Sequence, residues 1–140
     1  MSDRSIHQLL SSLAEVGTPE PEKVAELLGT TLALEQENLS WFFYKFDLSG
    51  GAFAGGEFRM SKSGGRALLI LTPVEKPGLF EKDFDPAAWG EPRSIDVNPR
   101  IPPEGTDAYI YDIEGVKLSL QWTHNSRRLR TVALEWAEHD

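Results

Sequence analysis

An α+β fold follows from a change of hydrophobic period along the chain. Apolar residues recur at helical spacing near the N-terminus and alternate from Ser40 onward, with Gly-, Asn- and Asp-rich breaks between the alternating runs. The expected architecture is two N-terminal helices packed on one antiparallel sheet of five to seven strands, ending in a β-meander. The length of 140 residues suits one domain over 1–140, and a hydrophobic content of 40% supplies its core.

In the stretch "DRSIHQLLSSLAEVG", Ile6, Leu9, Leu10, Leu13 and Val16 fall on one helical stripe, with Asp3 or Ser5 at its start and Gly17 at its end. Thr18 is placed to cap a second helix with Pro19 at its first position, Val24, Leu27 and Leu28 inward, and Gly29 as its stop. The residues "TTLALEQEN" read as a short strand around Leu32 and Leu34, followed by a turn over Glu35 to Asn38.

"SWFFYKFDL" alternates cleanly. Phe42, Tyr44, Phe46 and Leu48 form the apolar set expected to face the core, leaving Trp41, Phe43, Lys45 and Asp47 on the other side. The next stretch, "GGAFAGG", resembles a phosphate-cradling loop only in its glycine density. A dinucleotide loop needs G-x-G-x-x-G ahead of a helix, and a Walker loop needs Lys after its last Gly. Here the glycines stand at 50, 51, 55 and 56, Glu57 follows, and a strand comes next. "SGG" is therefore read as a hairpin turn and "AGG" as a bulge or close-packing site. "RALLILT" is apolar on both faces, which marks a central strand.

Residues Pro73 to Asp107 hold seven of the nine prolines and read mainly as a long ordered connection, with a short helix starting near Asp83 or Asp85. Beyond it, "AYIYDI", "VKLSLQW" and "LRTVALEW" form the meander, with Val116, Leu118, Leu120, Trp122, Val132, Leu134 and Trp136 inward.

Composition excludes several classes of function. The chain has no cysteine, so disulfides, thiolate metal sites and thiol nucleophiles are absent. The net charge of −8 argues against nucleic-acid binding and against an anionic membrane surface, and it suits a basic partner. The N-terminal stretch lacks a continuous apolar segment, and the longest apolar run is Ala67 to Leu71, so a cytoplasmic protein is expected.

No constellation of residues in the chain writes out a reaction. His7, His124 and His139 lack metal-ligand spacing, and no metal or cofactor is expected. Asp112, His124 and Ser119 or Ser126 can approach across a hairpin, but no nucleophile elbow supports them. The carboxylate pairs Asp83 with Asp85, Glu35 with Glu37 and Glu135 with Glu138 read as solvated faces. Arg127, Arg128 and Arg130 form the one dense basic cluster, suited to gripping an anion or, on an exposed strand, to deterring edge-to-edge pairing. Trp122 and Trp136 belong to the core, whereas Trp89 is the better surface candidate.

"WGEP", "YIYDI", "VKLSLQW" and "RRLRTVALEW", over about residues 85–136, resemble the small cytoplasmic immunity proteins of bacterial polymorphic toxin systems. That resemblance implies an antitoxin that is not an enzyme and that occludes a cognate protein toxin encoded by a neighbouring gene. Within that reading, Asp83, Asp85, Trp89, Glu91, Asp96, Glu104 and Asp107 in the long connection are the expected partner-binding residues. The alternatives are a small-molecule-binding or minor enzymatic domain, whose pocket the aromatics of "WFFYKF" would line, and a secretion chaperone or adaptor.

Overall fold

The computed structural model describes residues 3–16, 19–49, 51–63, 66–74, 78–81, 92, 94–98, 106–113, 115–123 and 125–136. Helix α1 (Asp3–Ala14) buries Ile6, Leu10 and Leu13, the stripe expected from their spacing. Helix α2 (Pro21–Leu28) begins two residues later than expected: Glu20 is its N-cap and Pro21, not Pro19, takes the first turn. Gly29 ends it in the left-handed conformation, where the absence of a Cβ carries no steric cost.

Eight strands follow among the described residues: β1 (Ala33–Glu37), β2 (Trp41–Asp47), β3 (Phe53–Ser61), β4 (Ala67–Pro73), β5 (Ser94–Asn98), β6 (Thr106–Ile113), β7 (Val116–Thr123) and β8 (Leu129–Trp136). They form one antiparallel sheet in the order β1-β2-β3-β4-β8-β7-β6-β5. The expected five to seven strands is therefore too few. The added strand is β5, lying within the proline-rich connection. Pro92 and Pro99 flank it, and an edge strand tolerates such neighbours because one of its sides makes no ladder bonds. The first turn also moves. β1 runs on to Glu37, and Asn38 makes the turn, its Oδ1 accepting from the backbone N–H groups of Ser40 and Trp41.

The topology is two four-stranded meanders, β1–β4 and β5–β8, joined where β4 pairs with β8. β4 is central, as its two apolar faces require. The chain leaving β4 must reach the far edge, four strand spacings away, or about 19 Å at ~4.8 Å per strand. That span explains why this connection is long.

Register stacks the core in rows. Tyr44, Phe58, Leu69, Leu134, Leu118 and Tyr111 lie in line across six strands, and Phe46, Gly56, Leu71, Val132, Leu120 and Tyr109 form the next row. The buried residues of these rows form one cluster with Ile6, Leu10, Leu13 and Val24 of the helices, and Tyr44 and Tyr109 pack against it. Trp122 and Trp136 are buried as expected, and the Trp136 indole N–H donates to the Val16 carbonyl at 3.0 Å, pinning the end of α1 to β8.

The glycine stretch shapes the sheet. A Cβ at Gly56 would strike the Ile70 carbonyl oxygen and come within 3.0 Å of the Phe46 ring. One at Gly55 would meet the Phe46 carbonyl oxygen, beside an irregularity in the β3–β4 register. Glu57 points to the other face and pairs with Arg59 at 3.0 Å.

Candidate functional site: the outer face of the first meander

Alternation on β2 turns Trp41 and Phe43 away from the core, and the register sets Arg59 of β3 directly opposite Phe43. The Arg59 guanidinium lies 5.4 Å from the Phe43 ring centroid, and that of Arg66 lies 5.8 Å from the Trp41 ring. Leu68 continues the same row on β4 beside Arg59, and Glu135 on β8 follows. Together with Ala67 and Trp136, these residues line a groove of about 310 Å³. Trp41, Phe43 and Leu68 are each half-buried, and Arg66 is exposed.

The charges around the groove are unequally satisfied. Glu135 faces Lys117 at 4.0 Å, and Glu57 is held by Arg59 Nη2. Arg59 Nε, in contrast, is buried without an acceptor, and no carboxylate among the described residues pairs with Arg66. At the opposite end of this face, Glu35, Lys45, Asp47, Glu57 and Thr72 line a wider, polar depression of about 590 Å³. Lys45 pairs with Glu35 there at 3.2 Å.

Of the expected partner-binding residues, Asp96 and Asp107 are the ones that fall among the described residues. Asp83, Asp85, Trp89, Glu91 and Glu104 lie outside the described residues. Asp96 is at the middle of β5, on the sheet edge. Asp107 is 5% exposed and gives its carboxylate to Arg127 Nη1 at 2.7 Å, so that charge is turned inward.

Arg127 is the centre of a polar cluster that joins the β7–β8 turn to Glu81 and β6. It adopts the left-handed conformation in the β7–β8 turn, with φ of 55°. Its Nε and Nη2 donate to Glu81 Oε2, and Nη2 also donates to the Tyr109 hydroxyl at 2.8 Å. Burial pulls the guanidinium's pKa down. The hydrogen bonds and charge of Glu81, followed by the bonds to Tyr109 and Asp107, outweigh burial and raise it.

Backbone bonds from Leu129 to Leu79 and from Glu81 to Arg127 run alongside, so the cluster fastens the start of the crossover to the hairpin. The edge-protection reading of the arginines does not hold, because β8 lies at the centre of the sheet. The triad-like grouping is likewise spent on turns: Asp112 Oδ1 accepts from the Gly115 N–H, and Ser126 Oγ bonds Thr123 Oγ1. His124 lies outside the described residues.

A third cavity, of about 230 Å³, lies between the helices and the β2–β3 connection, lined by Ile6, Leu9, Leu28, Thr30, Asp47 and Phe53 among others. Among the described residues no group of His, Asp and Glu is placed to hold a metal ion, and no helix is long and apolar enough to cross a membrane.

No protein-family model matches the chain, and no curated protein matches it. Among solved structures, it is similar to a DUF4309 family protein, YjgB, from Bacillus subtilis, at 14% identity and a TM-score of 0.49. The alignment covers 94% of this chain and 96% of that one. A likeness at this level carries neither a function nor a site to this chain.

Proposed function

We propose that this chain is a binding protein rather than an enzyme, and that it acts in the cytoplasm by occluding a partner protein. A cognate toxin encoded by a neighbouring gene is the partner implied by the resemblance of residues 85–136. The observation that carries the binding reading is the outer-face groove. Trp and Arg are the residues enriched at the energetic centres of protein interfaces, because they combine large contact area with directional donors. Here Trp41 and Phe43 present their rings beside two guanidiniums, on the sheet face opposite the helices. The net charge of −8 adds long-range attraction to a basic partner and speeds encounter without fixing the docking site.

The test is co-expression with the products of adjacent genes, followed by capture and kinetics. The double variant Trp41→Ala with Phe43→Ala is expected to weaken the complex by about tenfold or more, a loss of at least ~1.4 kcal/mol. Its fold should remain intact, because neither side chain belongs to the buried core. A tight complex that ignores both substitutions moves the interface elsewhere. Failure to capture any neighbouring product removes the immunity reading.

One observation favours a small ligand instead: the cavity beside the helices has apolar walls from Ile6, Leu9 and Phe53 and polar groups from Thr30 and Asp47. Its volume of about 230 Å³ falls below the ~300 Å³ at which ordinary ligand pockets begin, which makes this the weaker reading.

A further inference from the structure

We infer that the groove at Trp41, Phe43, Arg59 and Arg66 recognises a carboxylate carried beside an apolar side chain, on an extended acidic segment of the partner protein. This rests on the binding-protein reading above and assigns the chemistry of its anchor.

The argument begins with what stacking leaves free. A guanidinium has five N–H donors in its plane, and stacking on an aromatic ring uses its face. Arg66 over Trp41 therefore keeps in-plane donors for an incoming acceptor, and it has no carboxylate partner among the described residues. Arg59 over Phe43 spends Nη2 on Glu57, and its Nε is buried, so it adds positive charge to the groove while Arg66 supplies the accessible donors. Arg127, in the same chain, meets two carboxylates.

The groove's own acids do not reverse its preference, since Glu57 and Glu135 already face Arg59 and Lys117. Charge complementarity thus selects an anion, and carboxylate matches the planar fork of Arg in two parallel bonds. The floor selects an apolar companion: Leu68 sits on the outward row between Arg59 and Glu135, in the same groove as the Trp41 and Phe43 rings. Leu39, two residues before Trp41 in the β1–β2 turn, is 97% exposed. The Lys62 N–H bonded to the Ser40 carbonyl fixes that turn against the β3–β4 turn. An extended segment alternating acid and apolar residues would put its apolar side chains on the groove floor, and the carboxylates would reach the guanidiniums.

The probes are three capped tetrapeptides, acetyl-Glu-Phe-Glu-Leu-amide and its Gln-Phe-Gln-Leu and Lys-Phe-Lys-Leu counterparts. Each is titrated into the isotope-labelled full chain while the Trp41 indole and the Arg66 side-chain resonances are followed. The Glu peptide is expected to shift these signals saturably, with the Gln peptide at least about fivefold weaker, because charge-assisted bonds are about twice as strong as neutral ones. Arg66→Gln is expected to weaken the Glu peptide about five- to tenfold and leave the Gln peptide unchanged, and added salt should narrow the difference. Equal binding of all three peptides, preference for the Lys peptide, or no saturable shift at millimolar concentration overturns the inference.

The two readings fail separately. If a captured partner loses affinity with the Trp41→Ala, Phe43→Ala double variant while the peptides fail to discriminate, the docking face stands and the carboxylate chemistry falls. If the Glu peptide discriminates and no neighbouring product is captured, the groove chemistry stands and the occlusion reading falls.

Discussion

Arg127 and Arg66 are both associated with β-hairpin turns, and both lay a guanidinium over an aromatic ring, Tyr109 at 5.3 Å and Trp41 at 5.8 Å. Their surroundings separate them. Arg127 is met by Glu81 and Asp107 and by a phenolic hydroxyl, and its side chain is 26% exposed. Arg66 is exposed, with the Trp41 ring beneath it and no carboxylate against it among the described residues. The same residue type on the same kind of ring is a fastening in one meander and an open valence in the other. Stacking alone does not make an arginine structural. What decides is whether the chain also supplies the anion.

Arg127→Gln is expected to have the largest effect. It leaves the Asp107 carboxylate buried and deprives Glu81 of its partner. Removing one member of a buried pair costs about 3–5 kcal/mol; Glu81 is half-exposed and partly screened, so ~2–4 kcal/mol is expected here. Urea melts check this, and a loss under about 1 kcal/mol would mean that the cluster does not hold the crossover. The sign with pH is also fixed. The guanidinium's folded pKa is raised above an already high ordinary value, so its contribution is complete below that ordinary value and is lost only as pH rises through the folded one. The wild-type-minus-variant difference should therefore stay constant from pH 7 to 10, where an ordinary Lys would have begun to lose its proton.

Much of the fold was legible because alternation is a local signal. β2, β7 and β8 follow from residues two apart, and the buried Trp122 and Trp136 follow with them. β4 as a central strand came from apolar residues on both its faces. β5 escaped because five residues between prolines carry too little pattern to separate an edge strand from a connection.

The two arginine environments were less accessible for a different reason. Glu81 and Asp107 stand 46 and 20 residues from Arg127, and strand order, which no periodicity encodes, decides that they meet. The same ignorance of order made β8 look like an edge to be guarded. Trp41 and Phe43 were legible as an outward pair, but that Arg59 and Arg66 would lie over them depends on the register of β2 with β3 and on the turn before β4.

A finer cut within the Arg127 cluster separates ring from hydroxyl. Tyr109→Phe keeps the ring under the guanidinium and removes the bond from Nη2 at 2.8 Å. The expected cost is about 1–2 kcal/mol, since the acceptor is neutral but the donor is charged and half-buried, and both carboxylates remain. Thermal melts of Tyr109→Phe and Arg127→Gln, singly and combined, give the coupling between them. Strict additivity would mean that the hydroxyl bond contributes nothing, and that Tyr109 acts only as a surface on which the guanidinium rests.

The smallest stability effect is expected at the other member of the comparison, and it carries the most information. Arg66→Gln removes a cation stacked on Trp41 at an exposed site, where such contacts are worth about 0.5–1 kcal/mol at most, and it breaks no ion pair found among the described residues. The backbone N–H of residue 66, which donates to Ser61 Oγ at 3.3 Å, survives the change. The melt should therefore move by less than about 1 kcal/mol, several-fold below Arg127→Gln. If Arg66→Gln instead destabilises the chain as much as Arg127→Gln does, Arg66 is tied down within the fold and its donors are not free for an incoming carboxylate. If stability is unchanged and affinity for the Glu peptide falls, the two arginines divide as their surroundings indicate. One holds the chain to itself, and the other is kept by Trp41 in an orientation that a second protein can use.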